Sequence, residues 1–463
     1  MAFGRCARAD PLSRYDHRLE VHVRNWGGNI RVRAKRVVSP TSVRDLRRVV
    51  HLAQHVRVLG ALHSFSPVLL APDVAVLTQR LPRSIRVLPD SKQVDDRVTL
   101  VRVEGRWSMG ELGAALHRRG LALQSMGSSV LPTFFGSLAT ATHGSGLSHG
   151  SMSNRDLVRG VELVLGDGSL VTLSDDDPAS ADAMNACRAG LGLTGVMIAA
   201  TIACVSPYRL FIEMEKDTLQ GALNAERWSN GDPYTLFWFP HTETASRVTL
   251  SPTQLSATGA RARELWSEGF LENVVLGAAV WASNRAPQVL VPATMQLVSN
   301  FADGADYIDH WHHAMTGLRL FKGMSMEHGV PLERLPDAMR AVQDVVEQFA
   351  NAGVYALDLP VDIRVSRGDG EPYMSAAYGR DTAWIDVATF PGTQHYEPFL
   401  QAIEVELRKL GGRPHLGKIF YQSPKDVWDP EAWGRFWRAR DAMDPHDTFM
   451  SPAMFRMKDG GVP

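Results

Sequence analysis

The segment from Leu131 to Asn154, LPTFFGSLATATHGSGLSHGSMSN, is rich in glycine, serine, threonine and alanine. Small residues in a loop expose backbone N–H groups, which can cradle an anionic group such as a phosphate. A flexible surface loop is the alternative, but the segment also contains the large apolar residues Phe134, Phe135, Leu138 and Leu147. Such side chains favour burial, and a buried loop must satisfy its backbone polar groups. The sequence therefore predicts a loop whose hydrogen-bonding groups meet a large bound molecule.

A second glycine-containing loop lies earlier, in RVLGALHSFSP, from Arg57 to Pro67. It begins as a β-branched strand, breaks at Gly60 and then places His63 in a turn. The histidine could simply cap the turn. Together the two segments provide two glycine-containing loops, each with a histidine, within one region of mixed α and β pattern.

The spacing of apolar residues predicts a mixed α and β chain. NIRVRAKRVVSP, VRVLG and VTLVRVEGR have strand patterns, and VELVLGDGSLVTLS reads as a hairpin that turns at Asp167-Gly168. Helices are predicted in TSVRDLRRVVHLAQH, capped by Thr41 or Ser42, and in MGELGAALHRRG, capped by Ser108.

The pattern changes around Pro207. Residues 234–250 and 376–392 are predicted as strands, and residues 255–315 are predicted to be mostly helical, as are residues 331–350. A final helix should stop before Pro445.

Composition limits the classes of function. With 463 residues, two or three domains are expected, and a net charge of −1 gives no electrostatic reason to expect nucleic acid or an anionic membrane as partner. Cys6, Cys187 and Cys204 are too few for a disulfide framework or a structural zinc site. The longest apolar run, residues 274–282, is shorter than the roughly 20 residues of a membrane span. A soluble, cytoplasmic protein without a metal is expected.

Three patterns in the sequence resemble binding motifs but are interpreted as ordinary structure. GLGLTG, residues 190–195, matches the GxGxxG pattern, but a helix-like segment precedes it and a strand-like segment follows it, the reverse of a dinucleotide-binding site. It is predicted to be a turn with glycines at positive φ, and a close approach to a ligand stays open. His310 and His313 have helical spacing for a metal, but no further ligand is near, so a solvated helix face is expected. Asp175–Asp177 is expected to be a loop with a helix cap.

The chain resembles the vanillyl-alcohol-oxidase type of flavoprotein, and within it the sugar-1,4-lactone and alditol oxidases. The resemblance rests on an ordered set of segments: NWGGNI, RVLGALHSF, ATATHGSGLSHG, GLGLTGVMIAATI, FWFPHTE, MEHGVP, LPVDIRVSRGD, GGRPHLGK and DPHDTFMSP. It implies an α+β fold, in which a two-part FAD-binding domain of the PCMH type carries an α+β substrate cap. The expected boundaries are residues 15–207 for the FAD-binding domain, 208–410 for the cap and 411–463 for a segment that returns to the FAD-binding domain.

The resemblance also implies FAD as cofactor, bound covalently through His63. The residues expected to line it are Gly60, Ala61, Leu62, Ser64, Phe65, Ser128, Gly136, Ser137, Thr140, His143, Gly144, Ser145, Gly146, Gly192, Gly195, Val196 and Ile198.

On the substrate side, Arg364 and Lys418 match the polar residues with which the family binds the substrate hydroxyl. Asp362 stands where the family usually has glutamate, and Thr133 lies where alditol oxidases carry a hydroxyl residue. An ordinary surface pair on one strand face is the alternative for Asp362 and Arg364.

The resemblance implies oxidation of an aldono-1,4-lactone, by hydride transfer from a CH–OH group to the flavin, with oxygen reduced to hydrogen peroxide. Alditols are the rival substrates, and a dehydrogenase that uses another acceptor is the rival half-reaction. A flavoprotein that has lost turnover is a third possibility, kept open by the shorter Asp362.

Overall fold

The structure is a computed structural model. It describes residues 17–70, 73–89, 97–224, 234–259, 285–300, 302–304, 306–317 and 322–463. Its strands are β1 His17–Arg24, β2 Arg31–Val38, β3 Val56–Leu59, β4 Val74–Leu77, β5 Ser84–Val87, β6 Thr99–Glu104, β7 Val158–Val164, β8 Leu170–Ser174, β9 Val196–Cys204, β10 Arg209–Thr218, β11 Tyr234–Trp238, β12 Thr244–Thr253, β13 Tyr307–His310, β14 Met324–Pro331, β15 Val361–Ser366, β16 Thr382–Thr389 and β17 Arg413–Pro414. Its helices are α1 Val43–Leu52, α2 Met109–His117, α3 Phe134–Ala139, α4 Ala181–Cys187, α5 Leu219–Ala222, α6 Pro287–Ser299, α7 Trp311–Ala314, α8 Leu335–Asn351, α9 Tyr396–Lys409, α10 Pro430–Met443 and α11 Pro452–Asp459.

Three sheets organise the described chain. The first has the order β1-β2-β4-β3, with β4 parallel to both of its neighbours. The second, β5-β6-β9-β7-β8, is antiparallel. The third contains eight strands in the order β13-β10-β12-β11-β15-β16-β14-β17. This mixture of helices and sheets confirms the predicted α+β class.

The third sheet has two chemically different faces, because successive side chains of a strand point to opposite sides. On one face, Ile363 of β15 and Ile385 of β16 are fully buried in a core that α8 and α9 complete. On the opposite face the same strands carry Asp362 and Asp386, which line a cavity. The alternation within VDIRV and WIDVA therefore determines which residues reach the cavity.

The local signals at the helix starts are confirmed. Ser42 caps α1 by accepting a hydrogen bond from the N–H of Asp45. Ser108 and Glu111 form a reciprocal capping box at the start of α2. β7 and β8 form the predicted hairpin, with Gly168 at a φ of 80°.

The prediction for residues 255–315 is partly wrong. Residues 260–284 lie outside the described residues, and α6 agrees with the prediction, but Tyr307–His310 forms strand β13 rather than helix. β13 pairs with β10 at the edge of the third sheet. Sheet pairing thus overrides a helical pattern here.

The expected solvated helix face is wrong for His310, which ends strand β13, whereas His313 lies on helix α7 and is partly exposed. His312 is 8% exposed, and its ring stacks on His117 of α2 with centroids 4.6 Å apart. Among the described residues, no group of three or more histidine, cysteine, aspartate or glutamate side chains could hold a metal ion.

The last part of the chain packs back against the beginning. Phe449 lies in the core formed by α1 and the first sheet, and the N–H of Val56 donates to the carbonyl of Thr448 at 2.7 Å. Within the described ranges, no helix is both long and apolar enough to cross a membrane.

Candidate active site

A cavity of about 1110 Å³ lies where the loop after β3, the region of α3, the turn before β9 and the third sheet meet. The predicted cofactor residues that line it are Gly60, Ala61, Leu62, His63, Ser64, Phe65, Ser128, Gly136, Ser137, Thr140, His143, Gly192, Gly195 and Val196. The predicted catalytic residues Thr133, Asp362, Arg364 and Lys418 line it as well. Residues from distant parts of the chain are thus brought to one space.

The loop that carries His63 is held by the NWGGN turn at the end of β1. The side-chain amide of Asn25 donates to the carbonyl of Ser64 at 2.9 Å, and that of Asn29 donates to the carbonyl of Phe65 at 2.8 Å. The N–H of Trp26 donates to the carbonyl of Leu62 at 2.8 Å. The carbonyl groups of Leu62, Ser64 and Phe65 are therefore hydrogen-bonded to the protein itself.

Gly60 allows a close contact between two walls of the cavity. A Cβ atom at this position would lie 2.5 Å from the hydroxyl oxygen of Thr133. Any larger residue would push the loop away from the start of α3, so glycine is required by the approach of the two segments.

The His63 ring lies in the cavity wall, 5.0 Å from the ring of Trp26 between centroids. Burial, and then the positive charge of Lys418, lower the pKa of His63 to about 4. The imidazole is therefore neutral near pH 7, which is the form with a free nitrogen lone pair.

The start of α3 uses the hydroxyl of Thr133 as its cap. The N–H of Gly136 donates to this oxygen at 3.3 Å. Ser137, 1% exposed, lines the same wall, and its buried hydroxyl has no hydrogen-bond partner within the described part of the chain. An unpartnered buried hydroxyl costs free energy, so this group indicates a bound polar ligand.

Four predicted cofactor residues do not line the cavity: Gly144, Ser145, Gly146 and Ile198. After His143 the chain turns to the third sheet, where the N–H of Gly146 donates to the carbonyl of Val365 at 2.7 Å. The hydroxyl of Ser145 accepts from the N–H of Tyr234 at 3.3 Å. Ile198 is buried in the core beside α1. The similarity in sequence continued past the point where the backbone leaves the cavity.

The turn at residues 190–195 has the order predicted for it, with α4 before it and β9 after it. Gly192 and Gly195 have φ values of 67° and 149°. Arg57 holds the turn by donating to the carbonyl of Leu191 at 2.6 Å. Gly192, Gly195 and Val196 of the turn line the cavity. A ligand in the cavity can therefore come close to this backbone, a possibility that the sequence left open.

Three carboxylates lie side by side on the cavity face of the third sheet. In the strand register, Glu327 of β14 is opposite Asp386 of β16, and Asp386 is opposite Asp362 of β15. Like charges directly opposite one another in a sheet are destabilising. Their arrangement therefore requires compensating cations, which Arg364 and Lys418 supply.

Arg364 forms a two-point ion pair with Asp362. Its Nε and Nη2 atoms donate to the two carboxylate oxygens at 3.1 and 2.6 Å. Burial works to lower the pKa of Arg364, but the Asp362 carboxylate outweighs it and raises that pKa. The pair is largely enclosed, which excludes the alternative of an ordinary surface pair.

Lys418 is held among the other two carboxylates. Its ammonium donates to Asp386 Oδ2 and to the hydroxyl of Ser325, each at 2.8 Å, and lies 3.8 Å from Glu327 Oε2. Burial opposes the charge, but Asp386 and Glu327 raise the pKa of Lys418. The lysine is therefore a fixed cation in the cavity wall.

Two histidines complete the polar wall. Nε2 of His143 lies 3.1 Å from Glu327 Oε1, and its ring stacks on Trp384 with centroids 3.8 Å apart. His415 accepts a hydrogen bond at Nδ1 from the N–H of Gly417 at 3.1 Å. Burial lowers the pKa of His415 to about 4.

Four polar residues of this wall were not predicted from the sequence: Ser325, Glu327, Asp386 and His415. Glu327 and Asp386 stand within apolar alternating stretches, MSMEHG and WIDVAT, where a lone acid on a buried strand is unusual. That signal could have marked them as polar residues that face an enclosed site.

Two family models match the chain. Residues 34–174 match a model described as an FAD-binding domain, and residues 200–457 match one described as D-arabinono-1,4-lactone oxidase.

The similarity to curated relatives and to a solved structure extends over nearly the whole chain. An L-gulono-1,4-lactone dehydrogenase of Mycobacterium tuberculosis is 29% identical, over 92% of this chain and 96% of its own. An L-gulonolactone oxidase of Mus musculus is 25% identical, over 93% of this chain and 97% of its own. A solvent-stable cholesterol oxidase has the same fold, with a TM-score of 0.80 and 20% identity, over 95% of this chain and 97% of its own. Because the lactone oxidase model spans more than half of the chain, this protein belongs to the D-arabinono-1,4-lactone oxidase family.

Proposed function

We propose that this protein is an FAD-dependent oxidoreductase that oxidises a CH–OH group of an aldono-1,4-lactone, with alditols as the related substrate class. One observation carries the proposal. The glycine loops of the FAD-binding region and the cations Arg364 and Lys418 line the same cavity. A hydride donor and acceptor must meet in such a space, with the reacting groups held in a fixed orientation.

The residues present fit FAD. The amide N–H groups of residues 61–64 donate no hydrogen bond within the described chain, and the buried hydroxyl of Ser137 is also unpartnered. Such groups suit the phosphates and polar edges of a dinucleotide. When bound, the flavin would supply the two-electron acceptor for the oxidation.

A covalent link between His63 and the flavin is part of the proposal. His63 lines the cavity, and its ring makes no hydrogen bond to any described residue. Burial and the charge of Lys418 lower its pKa to about 4. A neutral, unengaged imidazole is the chemical state that attachment requires.

The substrate end of the cavity is suited to an uncharged polyhydroxy compound. Arg364 and Lys418 lie against carboxylates, so hydroxyl groups can both donate to and accept from this wall. Lys418 is also placed to stabilise negative charge that develops on the substrate oxygen. Thr133 lines the wall as a helix cap, and its role is proposed to be positioning of α3.

The expected division at residues 15–207, 208–410 and 411–463 is likewise proposed. In its favour, the second sheet ends with β9 at Cys204 and the third contains strands only from Arg209 onward. The late segment, residues 411–463, also contributes Lys418 to the cavity and Phe449 to the core of the first sheet.

The acceptor of the electrons is proposed to be molecular oxygen, with hydrogen peroxide as product. A dehydrogenase that uses another acceptor is the second candidate, because a relative of nearly full-length match carries that name. Purified protein should be assayed with a panel of 1,4-lactones and alditols, both for peroxide and for reduction of an artificial electron acceptor. Peroxide formation supports the oxidase, and dye reduction alone supports the dehydrogenase. If neither activity is observed, the result supports a flavoprotein without turnover.

A further inference from the structure

Asp386 has one engaged and one unengaged carboxylate oxygen. Oδ2 accepts a hydrogen bond from Lys418 at 2.8 Å. Oδ1 is buried and has no hydrogen-bond partner in the described part of the chain. The side chain is 18% exposed and lines the cavity. A buried carboxylate oxygen without a donor is costly, so its position indicates that a bound molecule supplies the missing hydrogen bond.

The neighbouring carboxylates are already engaged by other side chains. Both oxygens of Asp362 accept hydrogen bonds from Arg364. Glu327 Oε1 contacts His143, and although burial disfavours its charge, Lys418 and His143 hold the pKa of Glu327 well below its usual range.

Apart from His63, which is proposed to carry the flavin, the nitrogen bases beside the carboxylates are engaged as well. His143 contacts the carbonyl of Gly144 through Nδ1 and Glu327 through Nε2. Nδ1 of His415 accepts the N–H of Gly417, so the neutral ring carries its proton on Nε2 and acts as a donor. Lys418 is already protonated, since its pKa is raised.

Proton uptake at Asp386 would also relieve repulsion. Asp386 lies between Glu327 and Asp362 in the strand register, so three carboxylates face two cations, Arg364 and Lys418. Burial, together with the negative charge of Glu327, raises the pKa of Asp386, although Lys418 opposes this. After one proton is taken up, two carboxylates face two cations.

We propose that Asp386 is the catalytic residue that accepts the hydroxyl proton of the substrate. The inference rests on the proposed function and names the base for it. In this step the O–H bond breaks and its proton forms a bond to Asp386 Oδ1. The C–H bond breaks and the carbon–oxygen double bond forms, and a bound oxidised flavin would accept the hydrogen with its electron pair. The substrate is oxidised by two electrons and the flavin is reduced by two.

Asp386→Asn tests this with little change of shape. Under anaerobic conditions, mixing with the best lactone or alditol should bleach the flavin about 10²–10⁴ times more slowly than in the unaltered protein. The fall in bleaching rate toward low pH, which reports the protonation of Asp386, should disappear. A substrate analogue without the reacting hydroxyl should still perturb the flavin absorbance at a similar concentration, because binding is retained.

Asp381→Asn is the matched control. Asp381 precedes β16, lies outside the cavity and accepts a hydrogen bond from the N–H of Gly368 at 2.8 Å. Its bleaching rate and pH profile should be those of the unaltered protein. An Asp386→Asn variant that bleaches within a few-fold of the unaltered protein, with the same pH profile, would overturn the proposal.

Asp386→Ala provides a second measurement that does not depend on the asparagine variant. Removal of the carboxylate leaves space for a small carboxylate from solution, so formate should restore part of the bleaching rate. A purely structural role would not be rescued by formate, so absence of rescue in a folded, flavin-containing variant counts against the proposal. If the unaltered protein oxidises no lactone or alditol, the proposed function fails and this inference falls with it. If it does oxidise one and both variants behave normally, only the inference about Asp386 fails.

Discussion

At the scale of single residues, the cavity places neutral imidazoles beside a charged ammonium. Burial, and then Lys418, lower the pKa of His63 to about 4, and burial lowers that of His415 to about 4. For Lys418, burial is outweighed by Asp386 and Glu327, so its pKa is raised. Near pH 7 the histidines therefore offer lone pairs or N–H groups, while Lys418 keeps its charge.

His63→Ala should release the flavin from the denatured protein. After acid precipitation, the yellow colour should stay in the pellet of the unaltered protein and move to the supernatant of the variant. The folded variant should still bind FAD, since the amide groups of residues 61–64 do not depend on the histidine ring. His51→Ala, an exposed histidine of α1, should behave as the unaltered protein does. Yellow supernatant from the unaltered protein would contradict the covalent link.

Lys418→Met should lower kcat/KM by a factor of about 10²–10³, because the loss of one preorganised donor to a developing oxyanion slows a reaction by about that factor. The free energy of unfolding should also fall, since Asp386 and Glu327 lose their shared cation. Lys418→Arg keeps the charge but presents a planar fork, so stability should recover while turnover stays low. Lys409→Met, which removes only an exposed pair with Glu406, is the control. Normal turnover in Lys418→Met would show that this cation is structural.

At the scale of elements, local signals and strand pairing differ in how far they could be predicted. Ser42 and Ser108 predicted the starts of α1 and α2 because a cap acts within four residues. The row of Glu327, Asp386 and Asp362 could not be predicted, since it depends on which strands pair and in which register. Arg364 and Lys418 were found only through the resemblance to a family, whereas Asp386 lies outside the segments on which that resemblance rests.

The contact between α2 and α7 should make stability depend on pH. Burial, and then the charges of His313, His117 and His310, lower the pKa of His312 to about 3, against the opposing effect of Asp309. A histidine that must stay neutral in the folded state stabilises fully above its unfolded pKa of about 6.5, and this contribution is lost as pH falls from there toward about 3.

His312→Phe should reduce that dependence. Between about pH 7 and about pH 5, the free energy of unfolding of the unaltered protein should fall by on the order of 1 kcal/mol more than that of the variant. Urea unfolding at the two pH values measures the difference. Equal losses in both proteins would show that His312 is not the titrating group.

At the scale of the whole molecule, the late segment joins parts that are far apart in sequence. Phe449 packs with Leu46 and Val196 in one core, while Lys418 reaches the cavity from the same segment. Damage to this segment should therefore affect the core of the first sheet as well as the site.

Phe449→Ala tests this connection. Phe449 is 2% exposed, and truncation of a buried phenylalanine costs about 3–5 kcal/mol. Urea unfolding should show one transition at a lower midpoint, with the change in flavin absorbance and the loss of secondary structure coinciding. Phe455→Ala on α11, where the ring is 37% exposed, should change the midpoint little. An additional early transition confined to the C-terminal helices would indicate that this segment unfolds independently.

The loop that carries His63 is fastened to residues made much later during synthesis. The N–H of Phe65 donates to the carbonyl of Gly417 at 2.8 Å, and the hydroxyl of Ser66 donates to the carbonyl of Leu416 at 2.7 Å. A ribosome completes residue 63 long before residues 416 and 417 exist, so the emerging chain cannot close this side of the cavity. Incorporation of the flavin is therefore expected only after the ribosome has translated the GGRPHLGK segment.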